Sequence, residues 1–293
     1  MISKITIDPE KCNGCMLCEQ ICMLGNVEQG PEGKARPAEG LTCFTCGHCI
    51  AVCPTGALTR SDFDTASFEL LDESARPSFD QLLKFLKMRR SRREFKDDPV
   101  PREVAHKLLL AAVEAPSSIN NQSVLYTVIT DRAVLKRISE VCANYMRSMK
   151  RMMENPFGRL IFRIMAGAGY EDLKQFVPLI DMMLRMQDSG KDMILYDAPC
   201  LILLHAPKSD LMAAEDAIFN AENILLAVET LGLGACVIGF VTDPANRGKE
   251  IKQLVGMPAD HKVFSSIAVG YPKFKYAHSV PKNPPKVKYV EAP

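Results

Sequence analysis

Cys12-Asn13-Gly14-Cys15-Met16-Leu17-Cys18-Glu19-Gln20-Ile21-Cys22 and Cys43-Phe44-Thr45-Cys46-Gly47-His48-Cys49-Ile50-Ala51-Val52-Cys53-Pro54 are two copies of one pattern, C-x₂-C-x₂-C-x₃-C. Each cysteine of the second copy follows its counterpart by 31 residues, and the two copies hold eight of the chain's eleven cysteines. The repeat runs on: Cys22-Met23-Leu24-Gly25-Asn26-Val27 echoes Cys53-Pro54-Thr55-Gly56-Ala57-Leu58, with Met23 where the second copy has proline. Three thiols at this spacing wrap one face of a cube only if the chain coils tightly, and a fourth must arrive from elsewhere. Glycines beside the run, such as Gly14 and Gly47, permit that coiling.

The spacing resembles the ligand run of a two-cluster bacterial-type ferredoxin, in which the fourth cysteine serves the other cluster. The resemblance implies one [4Fe-4S] cluster on Cys12, Cys15, Cys18 and Cys53, and a second on Cys43, Cys46, Cys49 and Cys22. A disulfide framework and zinc are the competing readings. The chain opens Met1-Ile2-Ser3-Lys4 without an apolar signal region, which points away from an oxidising compartment. Zinc sites take four ligands in paired C-x₂₋₄-C units rather than two runs of four.

At 293 residues the chain is too long for this module alone, and its length suggests about two domains. An apolar content of 47% supports a real core, and a net charge of +1 argues against a dedicated polyanion binder. No stretch reaches ~18 uncharged apolar residues; the nearest, Ile224 to Val241, contains Glu229 and three glycines. A soluble, cytoplasmic protein with no membrane span is expected. The remaining cysteines, Cys142, Cys200 and Cys236, lie in apolar contexts and read as buried free thiols.

The expected organisation is a two-cluster domain over 1–59, a polar linker over 60–77 and a second domain over 78–293. Helical periodicity marks 78–90, opening after Ser78, then 101–115, 132–150 and Ala213 to Thr230, the last stopped by Gly232 and Gly234. Val124 to Thr130, Cys200 to His205, Cys236 to Val241 and Phe264 to Gly270 read as strands, and the alternating tail Lys286 to Val290 can add a fifth. The fold class is therefore α+β: a small two-cluster domain followed by an α+β domain with a mixed sheet flanked by helices.

Three signals in the second domain suit a ligand. Arg89-Arg90-Ser91-Arg92-Arg93-Glu94-Phe95 gathers four arginines and a hydroxyl; arginine forks suit phosphate, although such runs are commonly solvated faces. Ala115-Pro116-Ser117-Ser118-Ile119-Asn120-Asn121-Gln122 breaks a helix with amide and hydroxyl side chains, which suits a heteroaromatic edge or an ordinary turn. Leu231-Gly-Leu-Gly-Ala-Cys-Val-Ile-Gly-Phe240 joins a helix to a strand, without the third glycine or the strand-first order of a dinucleotide fingerprint.

As a set, with Asp197-Ala-Pro199 and Ala268-Val-Gly-Tyr-Pro272, these motifs resemble the FMN-dependent nitroreductase family over about Ser78 to Val290. The resemblance implies a homodimer with FMN at the subunit interface and a C-terminal segment embracing the partner. It places Arg89, Arg90 and Ser91 on the FMN phosphate and Arg93 at the pyrimidine edge. Pro116, Ser117, Ser118 and Asn120, with Gln122, would line the ribityl chain and ring, from the other subunit. The backbone of Ile238 and Gly239 would face flavin N5, and Lys282 would be a second phosphate contact. The aromatic residue the family often carries after the second motif is missing, since Gln122 is followed by Ser123-Val124. A methionine-rich, basic stretch from Tyr145 to Met193 reads either as a cap over the flavin or as amphipathic core and dimer helices.

The implied activity is an oxidoreductase of the nitroreductase type. It would carry electrons from ferredoxin or NAD(P)H through two [4Fe-4S] clusters and FMN to an electron-poor small molecule such as a nitroaromatic, quinone or enone. No side chain in the motifs is a plausible nucleophile, so the cofactors carry the chemistry. The alternative is an electron-transfer or redox-sensing module serving a partner protein. Nucleic-acid binding does not suit a short arginine run without interleaved aromatics.

Overall fold

The computed structural model describes residues 5–39, 43–61, 68–166 and 175–290, so the expected linker and the methionine-rich stretch lie partly outside the described residues. The chain divides into two compact units, one of Met1–Arg76 with Ser117–Gln122, the other of Pro77–Pro116 with Ser123–Pro293.

In the first unit β1 (Ile5–Ile7) pairs antiparallel with β4 (Leu58–Arg60), and β2 (Val27–Gln29) with β3 (Ala35–Pro37). Two short helices, α1 (Leu17–Ile21) and α2 (His48–Ala51), complete it. Each helix is entered through a left-handed residue at the same repeat position, Met16 (φ 56°) and Gly47 (φ 78°). A second left-handed corner lies two residues earlier, at Gly14 (φ 74°) and Thr45 (φ 57°). The small core holds Cys18, Val27, Ala35, Cys49, Ala57 and Leu58.

The second unit opens with α3 (Phe79–Met88), where Ser78 and Gln81 form a capping box. α4 (Arg102–Val113) starts behind Pro101, and β5 (Leu125–Ile129) leads into α5 (Arg132–Glu154), capped by the Asp131 carboxylate. α6 (Pro156–Ala166) and α7 (Val177–Asp188) precede β6 (Cys200–Pro207). Then follow α8 (Ala213–Thr230), β7 (Gly234–Val237), α9 (Gly239–Arg247), α10 (Glu250–Leu254) and β8 (His261–Gly270). The sheet order is β5-β6-β8-β7, and every ladder is antiparallel. Its mixed character rests on one parallel bridge, Ser91 to Ala235.

Strand β6 is buried from Cys200 to Ala206 because both faces of the sheet are covered. Leu201, Leu203 and Ala268 pack with α5, α7 and α9 on one side. Cys200, Ile202, Leu204, Ile267 and Val269 pack with α4 and α8 on the other. The third cysteine group is buried as expected, and burial pushes the Cys142 and Cys200 thiols up to about 12. Met146 and Met183 of the methionine-rich stretch sit in the core, while Met182 is exposed.

Two expected strands are corrected. The run Cys236 to Val241 is a strand only to Val237. Ile238 then binds Ser266 twice, donating its N–H to the carbonyl at 2.8 Å and accepting from Oγ at 2.6 Å, and α9 begins at Gly239. Val241 is fully buried from that helix, so its apolar character mimicked a strand. The tail Lys286 to Val290 forms no strand and is exposed throughout.

Glycines and one buried pair give testable consequences. A Cβ on Gly270 would lie 2.6 Å from Pro199 Cδ and 2.9 Å from Phe95 Cδ1, and Phe95 is buried. Gly270→Ala should therefore destabilise the chain by about 1–3 kcal/mol in urea unfolding. Gly239→Ala, whose added Cβ meets nothing within 4 Å, should change stability by less than about 0.5 kcal/mol.

His205 and His261 are buried with their Nδ1 atoms 2.9 Å apart, and His205 Nε2 lies 2.9 Å from Thr127 Oγ1. Burial, then the charges of His261 and Lys252, lower the His205 pKa from 6.5 to about 4. The unfolded chain thus binds the extra proton first, and stability is lost as pH falls from about 6.5 toward 4, by about 3 kcal/mol at most. Chemical unfolding across that window should show the slope, and His205→Gln should flatten it.

Candidate functional site

The thiols of the first unit fall into two crosswise groups. Cys22, Cys43, Cys46 and Cys49 line one largely apolar cavity of about 210 Å³, joined by Phe44 and Ile119. The Cys49 thiol is pushed up to about 11, first by burial and then by the neighbouring Cys22, Cys43 and Cys46. Cys18 is also raised, again mainly by burial, with Cys53 and Cys12 as its charged neighbours. The fourth cysteine of each run therefore lies beside the other run's first and third or with all three of its members. Cys15 is exposed.

Backbone N–H groups point at several of these sulfurs, and the repeat is visible in them. Asn26 N donates to Cys22 Sγ at 3.2 Å, and 31 residues on Ala57 N donates to Cys53 Sγ at 3.3 Å. Burial opposes the Cys53 thiolate, but donors from the Thr55 side chain and from the Ala57, Thr55 and Leu58 backbone outweigh it and lower its pKa. Thiols grouped round one cavity, with N–H donors aimed at sulfur, fit an iron–sulfur cube: sulfur hydrogen bonds tune such clusters, and cationic irons reverse the mutual repulsion.

The segment Ser117–Gln122 groups with this unit. Asn120 Nδ2 donates to the Thr45 carbonyl at 2.9 Å, and Thr45 Oγ1 donates to the Ile119 carbonyl at 3.3 Å. Gln122 Nε2 donates to Asn120 Oδ1 at 2.9 Å, and Gln122 N to Ser117 Oγ at 3.2 Å. Thr45, Arg60 and Ile119 were not singled out from sequence; the signal for Thr45 was its place opposite Gly14 in the repeat.

In the second unit the arginine motif leaves α3 and threads along β7. Ser91 bridges Ala235, and Arg92 N donates to the Ala235 carbonyl at 2.9 Å. Gly234 is required there, because a Cβ would lie 2.5 Å from Arg92 Cγ. Phe95 ends the motif in a bridge to Pro272, buried against Gly270. Arg89 faces Glu222 at 3.7 Å, and the Arg93 guanidinium stands 5.9 Å from the Tyr196 ring centre. Arg92 donates to the Phe274 carbonyl at 3.0 Å and stacks 3.8 Å from the Tyr276 ring centre.

Lys84, Lys87, Arg90, Arg92, Glu229 and Tyr276 line a pocket of about 300 Å³. Arg92 Nε and Glu229 Oε1 are buried there without a partner among the described residues. Four cations against one carboxylate, with an unpartnered guanidinium N–H, fit an anionic group such as the phosphate of FMN. Gly239 is the first residue of α9, so its N–H has no partner within the helix, and the space beside its Cα is open. Lys282 lies in the exposed C-terminal stretch.

Residues 86–271 match the model of the nitroreductase family, and residues 4–54 match that of the 4Fe-4S dicluster domain. An iodotyrosine deiodinase of Thermotoga neapolitana is 31% identical over 206 residues, covering 69% of this chain and 94% of that protein. An oxidised iodotyrosine deiodinase, solved with FMN and 3-iodo-L-tyrosine, superposes with a TM-score of 0.51 at 27% identity, covering 72% of this chain and 99% of that one. An FMN-bound nitroreductase from Bacteroides fragilis shares the fold, with a TM-score of 0.52 at 20% identity and coverage of 72% and 99%. The threading of the arginine motif along β7, its Phe95 anchor and the match over 86–271 agree: the chain belongs to the nitroreductase family, with a 4Fe-4S dicluster domain ahead of the family's own fold.

Proposed function

We propose that this flavin-dependent oxidoreductase takes electrons from a low-potential donor, ferredoxin or NAD(P)H, and delivers them to an electron-poor small molecule such as a nitroaromatic, quinone or enone. Two [4Fe-4S] clusters and FMN supply the redox chemistry when bound, the former in one-electron steps and the latter able to pair them. The observation that carries this reading is a unit with two crosswise thiol groups in the same chain as a nitroreductase domain.

The cluster ligands on this reading are Cys12, Cys15, Cys18 and Cys53, and Cys43, Cys46, Cys49 and Cys22. Arg89, Arg90 and Ser91 hold the FMN phosphate with Lys282, supported by the cationic pocket beside Arg90. Arg93 meets the pyrimidine edge, where its charge favours an anionic ring. Pro116, Ser117, Ser118 and Gln122 line the flavin, and the Gly239 N–H at the start of α9 is a donor for the ring. The Asn120 amide is committed to Thr45 and is left out of that set.

Exposed apolar side chains on α4 and α8, among them Leu110, Val113, Ile218 and Phe219, supply a surface for a second copy, in line with a homodimer. No helix among the described residues is long and apolar enough to cross a membrane. An iodophenol belongs in the acceptor panel because two similar proteins are iodotyrosine deiodinases.

The test is turnover of that panel under anaerobic conditions, driven either by reduced ferredoxin or by NAD(P)H. Cys18→Ala combined with Cys49→Ala should reduce ferredoxin-driven turnover at least ~100-fold while leaving hydride-driven reduction within about threefold. Equal loss of both rates, with flavin retained and circular dichroism unchanged, would sink the proposal.

A further inference from the structure

The two halves of the cysteine repeat differ at one corner. Position 14 is glycine and its equivalent, 31 residues on, is Thr45; both are left-handed, at φ 74° and 57°. For glycine this conformation is free, whereas for a β-branched residue it is strained and persists only where the surroundings over-determine it. Every polar group of Thr45 is indeed engaged. Its N–H donates to Cys43 Sγ at 3.3 Å. Its carbonyl accepts from Asn120 Nδ2 at 2.9 Å and from the Arg60 guanidinium. Its hydroxyl donates to the Ile119 carbonyl at 3.3 Å.

The opposing segment is equally unusual. Ile119, Asn120 and Gln122 have φ values of 47°, 56° and 49°, an arrangement that non-glycine residues rarely adopt. Asn120 is braced by Gln122, and the Ile119 side chain lines the cavity shared by Cys22, Cys43, Cys46 and Cys49. Strain on both sides of one contact thus converges on a single thiol group.

From these contacts we infer that Asn120 is a positioning residue for the second cluster, and that Ile119 is its cover. The inference rests on the cluster reading above. The Asn120 amide holds the Thr45 peptide so that its N–H stays on the Cys43 sulfur. A donor on a thiolate sulfur stabilises the reduced, more negative cluster and raises its potential. Exclusion of water by Ile119 acts in the opposite sense. The two residues therefore set the potential of one cluster from a segment some 70 residues away in sequence, with |i−j| of 75 for the Asn120–Thr45 bond.

Anaerobic redox titration followed by EPR tests this on the full-length reconstituted protein. Asn120→Ala should move one of the two cluster potentials to more negative values, and Ile119→Ala should move the same potential to more positive values. The other cluster should stay in place, and four irons per cluster should be retained. Two [4Fe-4S] signals in the wild-type chain whose potentials both variants leave unmoved, or shift together, would overturn the inference alone. Absence of two such signals in the wild type would overturn the cluster reading and this inference with it.

Discussion

In the first unit, burial and neighbouring thiols work against ionisation at Cys18 and Cys49. Cys49 is pushed up to about 11 by burial and by Cys22, Cys43 and Cys46, yet the thiolate is the form that binds iron. The backbone meets part of this conflict by aiming N–H groups at sulfur, as Asn26 and Ala57 do for Cys22 and Cys53. The rest must come from the positive charge of the irons, which turns neighbouring sulfurs from a repulsive group into a ligand set. A bound cluster would therefore add to the stability of this unit. Its strands of three residues and its core of six buried side chains leave little other stabilisation.

The second unit solves a different problem. Its sheet is sealed on both faces by helices, so β6 reads as an apolar run from Cys200 to Leu204, with His205 as its one buried titratable group. Polar groups are displaced to the edge strand β7 and to the turn into α9. There Gly234 lets Arg92 lie against the strand, and Ser266 saturates both backbone groups of Ile238. Close packing fixes that edge at Gly270, where Phe95 and Pro199 meet. The arginine motif is thus held by its backbone and by Phe95, while Arg89 also faces Glu222 and Arg92 meets the Phe274 carbonyl and the Tyr276 ring.

Much of this was legible in sequence because it is periodic or chemically peculiar. The cysteine spacing, the Ser78 cap, the Ala213–Thr230 helix and the family motifs all depend on local pattern. Illegible features are those decided by contacts far apart in the chain. The helix at Gly239 was hidden because Val241 is buried as deeply as a strand residue. The exposed tail alternates like a strand but pairs with no strand among the described residues. Asn120 is expected at the flavin from its motif; that its amide also reaches the Thr45 carbonyl, 75 positions away, is a contact no local pattern shows.

On the proposed path from clusters to flavin, joining the cluster unit to the nitroreductase fold would change the kinetics of electron supply. A separate carrier must find its acceptor at each one-electron step, at a rate set by its concentration and by an association constant of typically 10⁵–10⁷ M⁻¹s⁻¹. A tethered carrier is present at an effective concentration on the order of millimolar. A two-electron reduction needs two such deliveries, and a long wait between them leaves the acceptor half-reduced. Two clusters in one unit can store both electrons before either is delivered. On that path the external donor would need only to meet the cluster unit, and the interval between deliveries would become a property of the chain rather than of the donor's concentration.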